Sequence, residues 1–142
     1  MPAKIWILIA ALLGAGAVAI GAYHAHGLDE SLAQRGLDTA EVAKQMHNAD
    51  TAVKYQMYHA LAIFGIGLMV ARRCTWLGSI AALLMLLGVI GFSGGLYADV
   101  FDIVRLSRAV VPIGGLLMIL GWLTLGIAGM FIASESCDAK TK

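Results

Sequence analysis

Four long apolar stretches without a charged side chain constrain the fold of this chain more than any other feature. They cover residues 5–23, 55–71, 76–98 and 110–133, and the first two are separated by a polar loop, residues 24–54. A bilayer core about 30 Å thick requires about 20 apolar residues in an α-helix. Backbone polar groups cannot stay unpaired in lipid, and none of the stretches alternates as a strand does. The sequence therefore predicts an all-α, four-helix transmembrane bundle.

The composition agrees with one membrane domain over residues 1–142. Of the 142 residues, 60% are hydrophobic and 13% are charged, and the formal net charge is +1. These values exclude a soluble globule and a basic nucleic-acid binder, so we expect no nucleic-acid partner. Cys74 and Cys137 have no spacing typical of a disulfide framework or a metal site, which predicts two unpaired thiols.

The first stretch has the alternative interpretation of a signal peptide. Lys4 precedes an apolar run, and residues 17–19 (AVA) resemble a cleavage site. The run continues through Gly21 and Ala22, however, and small residues repeat in it every four positions. Such rows permit close helix packing, so we favour a retained helix.

The loop after the first stretch is too long for a turn and too polar for lipid. It predicts two short surface helices. Asp29 is the expected N-cap of the first, and Gly36 its end. Asp38 and Glu41 resemble a capping box for the second, and Asp50 is a plausible N-cap for the next membrane span.

The distribution of basic residues predicts cytoplasmic termini. Four crossings place five Lys and Arg residues on each side of the membrane. Those on the side of the termini lie in short segments: Lys4, Arg72, Arg73, Lys140 and Lys142. Those on the other side are spread over longer, acid-containing loops: Arg35, Lys44, Lys54, Arg105 and Arg108. The positive-inside rule favours a cytoplasmic location for the denser group.

Polar residues gather at one face of the predicted bundle. This candidate polar cluster consists of His26, Gln56, His59, Ser93 and Tyr97. His59 lies inside an apolar helix, where an ionisable side chain is expensive, so we expect it to be neutral and hydrogen-bonded to Gln56, Ser93 or Tyr97. The cluster could serve only to hold helices together.

Aromatic residues mark both predicted interfaces. Tyr23, Tyr55 and Tyr58 lie near the polar face, and Trp6 and Trp76 near the other.

Glycines predict where helices approach closely. Gly91 and Gly95 form a small-xxx-small pair on the third span, and Gly114 and Gly115 open the fourth. Tight packing within the chain is the favoured interpretation, and a homodimer motif is the alternative.

Three histidines raise the question of a metal site. His24 and His26 lie close together, and His47 could join them from the loop. Two or three imidazoles without an acid in helical register make a weak site, so we expect no metal. No phosphate loop, nucleophile motif or haem attachment motif occurs, and we expect no cofactor.

Five segments together resemble one family. They are residues 21–28 (GAYHAHGL), 51–62 (TAVKYQMYHALA), 91–97 (GFSGGLY), 112–115 (PIGG) and 121–122 (GW). In order and spacing they resemble the YgdD/YwdK-like membrane proteins, the domain of unknown function 423 family, which includes animal transmembrane protein 256.

The resemblance implies a small multi-pass protein of the bacterial plasma membrane without an established activity. It also implies a first motif ending in a histidine, which His26 matches, whereas His24 replaces a glycine. Residues 99–108 are more charged than that family pattern.

Three functions remain open. The first is a non-enzymatic accessory or structural component that contacts lipids and packs with partner helices or with further copies of itself. The second is a transporter or channel-like module for a small solute or protons that uses Gln56 and His59. The third is a membrane metal protein or enzyme that uses His26 and His59.

Overall fold

The computed structural model describes residues 2–72, 76–104 and 106–138, with side chains up to Phe131. This part of the chain contains five helices and no strand, so the predicted all-α class is confirmed. The helices are α1 (Ala3–His26), α2 (Leu28–Gln34), α3 (Thr39–Arg72), α4 (Trp76–Val100) and α5 (Val110–Asp138).

The four long helices run antiparallel in chain order. The extensive pairings are α1 with α3, α3 with α4, and α4 with α5. Ile7 of α1 lies against Gly67 of α3, and Gly21 lies against Val53, which fixes the antiparallel direction of that pair. Within the described residues α1 and α5 do not form an extensive pair, so they are the outer helices and α3 and α4 lie between them.

Three helices of the described chain are long and apolar enough to cross a membrane. They are Ala3–His26, Trp76–Val100 and Val110–Phe131. These match three of the four predicted spans. The remaining predicted span, residues 55–71, forms the second half of α3, and α3 does not qualify by the same measure of length and hydropathy among the described residues. Polar Gln56 and His59 lower the mean hydropathy of this half, and only 17 residues separate the charged Lys54 and Arg72.

The prediction of a separate second surface helix is wrong. Residues 39–54 continue without interruption into the predicted span, and Asp50 is not an N-cap but lies inside α3. No glycine or proline interrupts the segment before Gly65, so nothing in the sequence breaks the helix. Lys54, one turn later, donates a hydrogen bond to Asp50 at 2.6 Å. This bond, together with the opposite charge of Asp50, raises the pKa of Lys54.

The predicted helix ends are partly confirmed. Gly36 follows α2 with φ +77°, a left-handed conformation that glycine adopts without a steric penalty. Asp38 caps α3 as predicted, because its Oδ1 accepts a hydrogen bond from the backbone N–H of Glu41 at 2.8 Å. Asp29 does not cap α2: the N-cap is Gly27, and Asp29 lies in the first turn.

Among the side chains that the structure describes, two hydrophobic cores stabilise the arrangement. The larger one joins α1, α3 and α4 through Trp6, Ile63 and Met85, among others. The smaller one lies at the α2 end of the molecule, where Leu32 of α2 and Val100 of α4 are fully buried.

Trp6 and Trp76, predicted to mark one membrane interface, differ in exposure. Trp6 is only 1% exposed, and its indole N–H donates to Ser79 Oγ at 3.4 Å. Trp76 is 73% exposed. The first tryptophan therefore belongs to the core, whereas the second faces outward.

Some sequence predictions fall on residues outside the described part of the chain. Cys74 lies there, and only the backbone of Cys137 is described. The basic residues used for orientation that lie there are Arg73, Arg105, Lys140 and Lys142.

Candidate functional site

His59 links α3 to α5. The side chain is only 4% exposed. The Trp122 indole N–H of α5 donates to His59 Nε2 at 3.2 Å, and His59 Nδ1 lies 2.8 Å from the carbonyl oxygen of Tyr55. An indole only donates, so Nε2 carries no proton, and Nδ1–H donates to Tyr55. Both ring nitrogens of a neutral imidazole are therefore used.

Gln56 links α3 to α1. Its Nε2 donates to the carbonyl oxygen of Leu13 at 2.7 Å, and the residue is 7% exposed. Gly16 of α1 makes room for this contact, because a Cβ at that position would lie 3.1 Å from Gln56 Nε2. The Gln56 amide therefore reaches the α1 backbone because Gly16 has no side chain.

The other members of the candidate polar cluster do not join His59 or Gln56 by hydrogen bonds within the described part of the chain. Ser93 of α4 is fully buried, and neither its Oγ nor the buried hydroxyl of Tyr97 has a hydrogen-bond partner there. The Tyr97 ring lies 6.3 Å from that of Phe101. His26 is exposed at the end of α1. His26 lies at the end of α1, whereas Gln56 bonds near the middle of α1 and His59 near the middle of α5, so the five residues do not form one network.

Trp122, the partner of His59, is not among the predicted site residues. The GW segment that contains Trp122 contributed only to the family resemblance. An indole N–H in an apolar helix needs an acceptor, and this requirement is the signal that could have found the pair.

The four predicted packing glycines lie at or near the α4–α5 contact. A Cβ on Gly91 would lie 3.1 Å from the Cα of Gly114, and a Cβ on Gly95 would lie 2.8 Å from Val111 Cγ2. A Cβ on Gly114 would overlap the backbone at Phe92. Gly115 has ordinary spacing, 3.6 Å from the Phe92 ring. The close approach therefore depends most strongly on Gly114.

A polar cleft opens at the α2 end of the molecule, and sequence analysis did not identify it. It has a volume of about 650 Å³ and lies between the start of α3, the end of α4 and the α4–α5 connection. Its charged lining residues are Arg35, Glu41, Asp99, Asp102 and Arg108.

Two side chains, Arg35 and Gln45, hold the α2–α3 region against the end of α4. Arg35 donates to the carbonyl oxygen of Val100 at 2.8 Å and lies 3.7 Å from the Asp102 carboxylate. Gln45 Nε2 donates to Asp99 Oδ2 at 3.2 Å. The connection after α1 and the connection after α4 therefore lie at the same end of the molecule.

The described residues contain no group of three or more His, Cys, Asp or Glu side chains that could hold a metal ion. His24 Nε2 lies 3.1 Å from the carbonyl oxygen of Met46, and His47 is exposed on α3.

The antiparallel apolar helices and the polar groups between them define an integral, multi-pass helical membrane protein. The chain belongs to the family described as protein of unknown function DUF423, whose model matches residues 20–115. The resemblance inferred from the motifs is thereby confirmed.

Relatives extend the similarity over most of the chain. It is 38% identical over 133 residues to a UPF0382 membrane protein of Staphylococcus epidermidis, covering 92% of this chain and 98% of the relative. It is 31% identical to the UPF0382 membrane protein YwdK of Bacillus subtilis, covering 89% and 97%. It is 31% identical to the UPF0382 inner membrane protein YgdD of Escherichia coli, covering 86% of each chain. These relatives agree with the predicted inner-membrane location. No solved structure matches the chain.

Proposed function

We propose that this protein is a non-enzymatic, four-span structural component of the plasma membrane, with its termini in the cytoplasm. Its α1 and α5 contact lipids and partner helices, and its buried polar side chains hold the helices in register. The proposal has two parts, the membrane topology and the role.

The proposed topology rests on the hydrogen bond between Gln45 and Asp99. It supports a common membrane side for the start of α3 and the end of α4. Since α4 is long and apolar enough to cross the bilayer, its start at Trp76 belongs on the opposite side. The chain between Gln45 and Trp76 must then cross as well, and it consists mainly of α3. On this reasoning the fourth span is the second half of α3.

The use of the buried polar groups supports a structural role. Both ring nitrogens of His59 are used, and the Gln56 amide nitrogen bonds to α1, so these polar groups serve contacts between helices. The outward surfaces of α1 and α5 are apolar, with exposed Leu12 on α1 and Leu116 and Leu123 on α5. Such surfaces suit lipid tails and other membrane helices.

A second candidate function, transport of protons or a small solute, is favoured by one observation. The Ser93 and Tyr97 hydroxyls are buried on one face of α4 without hydrogen-bond partners in the described part of the chain. Buried hydroxyls of this kind are available to a passing water or solute.

Proton flux into proteoliposomes that contain a pH-sensitive dye separates the two functions. For the structural role we expect the proton flux with the wild-type protein and with the His59→Gln variant to equal that of protein-free vesicles. Gln is the chosen replacement because it supplies a donor and an acceptor but does not titrate. The Trp76→Phe variant, changed on the outward face, is the matched control. A wild-type flux above that of protein-free vesicles, lost in His59→Gln and kept in Trp76→Phe, would overturn the structural role.

A further inference from the structure

The polar cleft is large enough for a small ligand. Its volume of about 650 Å³ falls inside the range of about 300–1,000 Å³ that is common for ligand sites. Its described lining residues include three acids, Glu41, Asp99 and Asp102, and two arginines, Arg35 and Arg108. A ligand of matching charge must therefore carry both signs.

Gln45 supplies a buried acceptor in the cleft wall. The residue is 7% exposed and lines the cleft. Its Nε2 donates to Glu41 Oε1 at 3.1 Å and to Asp99 Oδ2 at 3.2 Å. A carboxylate only accepts hydrogen bonds. Exchanging the positions of the Gln45 amide nitrogen and oxygen would place Oε1, itself an acceptor, against the two carboxylates. Its orientation is thereby fixed.

The fixed amide leaves Gln45 Oε1 without a donor among the described residues. A buried acceptor without a partner is unfavourable, and only an N–H or O–H group can satisfy it. With the carboxylates of Glu41 and Asp99 beside it, this wall of the cleft suits a primary ammonium group, which donates three hydrogen bonds and carries positive charge.

The wall formed by the α4–α5 connection suits an anion. Arg108 is exposed in the α4–α5 connection and has no ion pair in the described part of the chain. Ser107 lines the cleft beside it and has a hydroxyl that can donate. Arginine is well suited to phosphate because its N–H groups match the phosphate oxygens in pairs.

The cleft also reaches the apolar layer. Gly95 and Val111, which line it, belong to α4 and α5, two helices able to span the membrane. Val104 and Leu106 also line the cleft and are exposed although apolar, 53% and 45% respectively. A ligand that occupies both regions must have a charged head and an apolar tail.

We propose that this cleft binds the head group of an aminophospholipid. The ammonium group lies against Gln45, Glu41 and Asp99, and the phosphate lies against Arg108, while the acyl chains follow the outer surface of α4 and α5. The proposal goes beyond the structural role, and it holds whether or not the protein also transports a solute.

Lipid competition followed by native mass spectrometry of the full-length protein in detergent tests the proposal. The probes are phosphatidylethanolamine and phosphatidylcholine with identical acyl chains. The second has the same charge and phosphate but no N–H donor. We expect the wild-type protein to retain phosphatidylethanolamine about tenfold more often, the ratio that one hydrogen bond to a charged group provides.

Three variants locate the binding. Asp99→Asn and Gln45→Met should bring the two lipids to equal retention, whereas Arg108→Gln should weaken both. Glu30→Gln, an exposed change on α2 outside the cleft, is the matched control and should keep the preference. Circular dichroism verifies the helix content of each variant, and Arg108→Gln remains informative if a buried change prevents folding.

Equal retention of the two lipids by the wild-type protein would overturn the proposal, as would a preference that survives both Asp99→Asn and Gln45→Met. Soluble phosphoethanolamine has the same ammonium and phosphate groups, so it distinguishes a lipid head group from a free zwitterion as the ligand. We expect it not to displace the lipid at equal concentration, because it has no acyl chain. Full displacement would overturn the lipid assignment in favour of a free zwitterion. A proton flux that contradicts the structural role would not change the lipid preference expected here, so the two proposals can fail independently.

Discussion

At the residue scale, the polar side chains inside this apolar chain act mainly through single bonds between helices. His59 accepts from Trp122, and Gln56 donates to Leu13. Interhelical hydrogen bonds in membranes are individually modest, about 0.6 kcal/mol on average. Their geometric requirement is strict, however, because a missed partner in lipid has no water to replace it. These bonds therefore fix the helix register more than they add stability.

Replacement of Trp122 by Phe tests the His59 bond. Phe keeps an aromatic ring but has no N–H, so His59 Nε2 loses its donor. We expect the free energy of unfolding to fall by about 0.5–1.5 kcal/mol, measured by denaturant titration in mixed micelles.

The control for this change is Trp76→Phe, because Trp76 is 73% exposed, and we expect no measurable effect there. In a His59→Leu background, Trp122→Phe should cost less than in the wild type, since the bond is already lost. Equal losses for Trp122→Phe and Trp76→Phe would contradict the assigned bond.

The sequence could indicate that His59 needs a partner but not which one. Its position inside an apolar helix predicts burial, and the structure buries it. Gln56, Ser93 and Tyr97 were the expected partners because they lie at the same end of the predicted bundle. The rotation of each helix about its axis decided the outcome, and that rotation depends on packing between helices that one sequence pattern does not specify.

At the element scale, α3 differs most from its prediction. Its 34 residues extend about 50 Å, well beyond the bilayer core of about 30 Å. The polar-to-apolar change near Tyr55 predicts a boundary between helices, which the structure does not contain. Helix continuity depends on the absence of breakers rather than on uniform polarity, and Asp50 is accommodated by its bond to Lys54.

The glycines were more predictable than the polar residues. A glycine row signals close backbone approach from spacing alone, and Gly91 and Gly114 do lie against each other. The sequence could not predict that Gly16 makes room for an amide, because that use depends on the neighbouring helix.

Replacement of Gly114 by Ala tests the α4–α5 contact. The new Cβ would overlap the backbone at Phe92, so the two helices must separate. We expect a loss of about 1–3 kcal/mol, the usual cost of overpacking, seen as a lower thermal midpoint in detergent.

Gly129→Ala is the matched control on the same helix. A Cβ at Gly129 meets no atom within 4 Å, so this change should be neutral or stabilise by up to about 1 kcal/mol through helix propensity. Equal stability of Gly114→Ala and Gly129→Ala would contradict the close contact between α4 and α5 at Gly114.

At the scale of the whole molecule, the central claim is that the second half of α3 crosses the membrane. Hydropathy alone supports three crossings, by α1, α4 and α5. The bonds of Arg35 to Val100 and of Gln45 to Asp99 support four, because they place the connections after α1 and after α4 together. With three crossings these two connections would lie on opposite sides of the membrane.

Reporter fusions compare these two topologies directly. Alkaline phosphatase, which is active only outside the cytoplasm, is fused after Gly36, after Ser107 or at the C-terminal end of the full chain, and a fluorescent protein active only in the cytoplasm is fused at the same points. The four-span account predicts phosphatase activity at Gly36 and Ser107, and fluorescence at the C-terminal end. Phosphatase activity at Gly36 and at the C-terminal end, with fluorescence at Ser107, would show that α3 stays outside the membrane and would contradict the account.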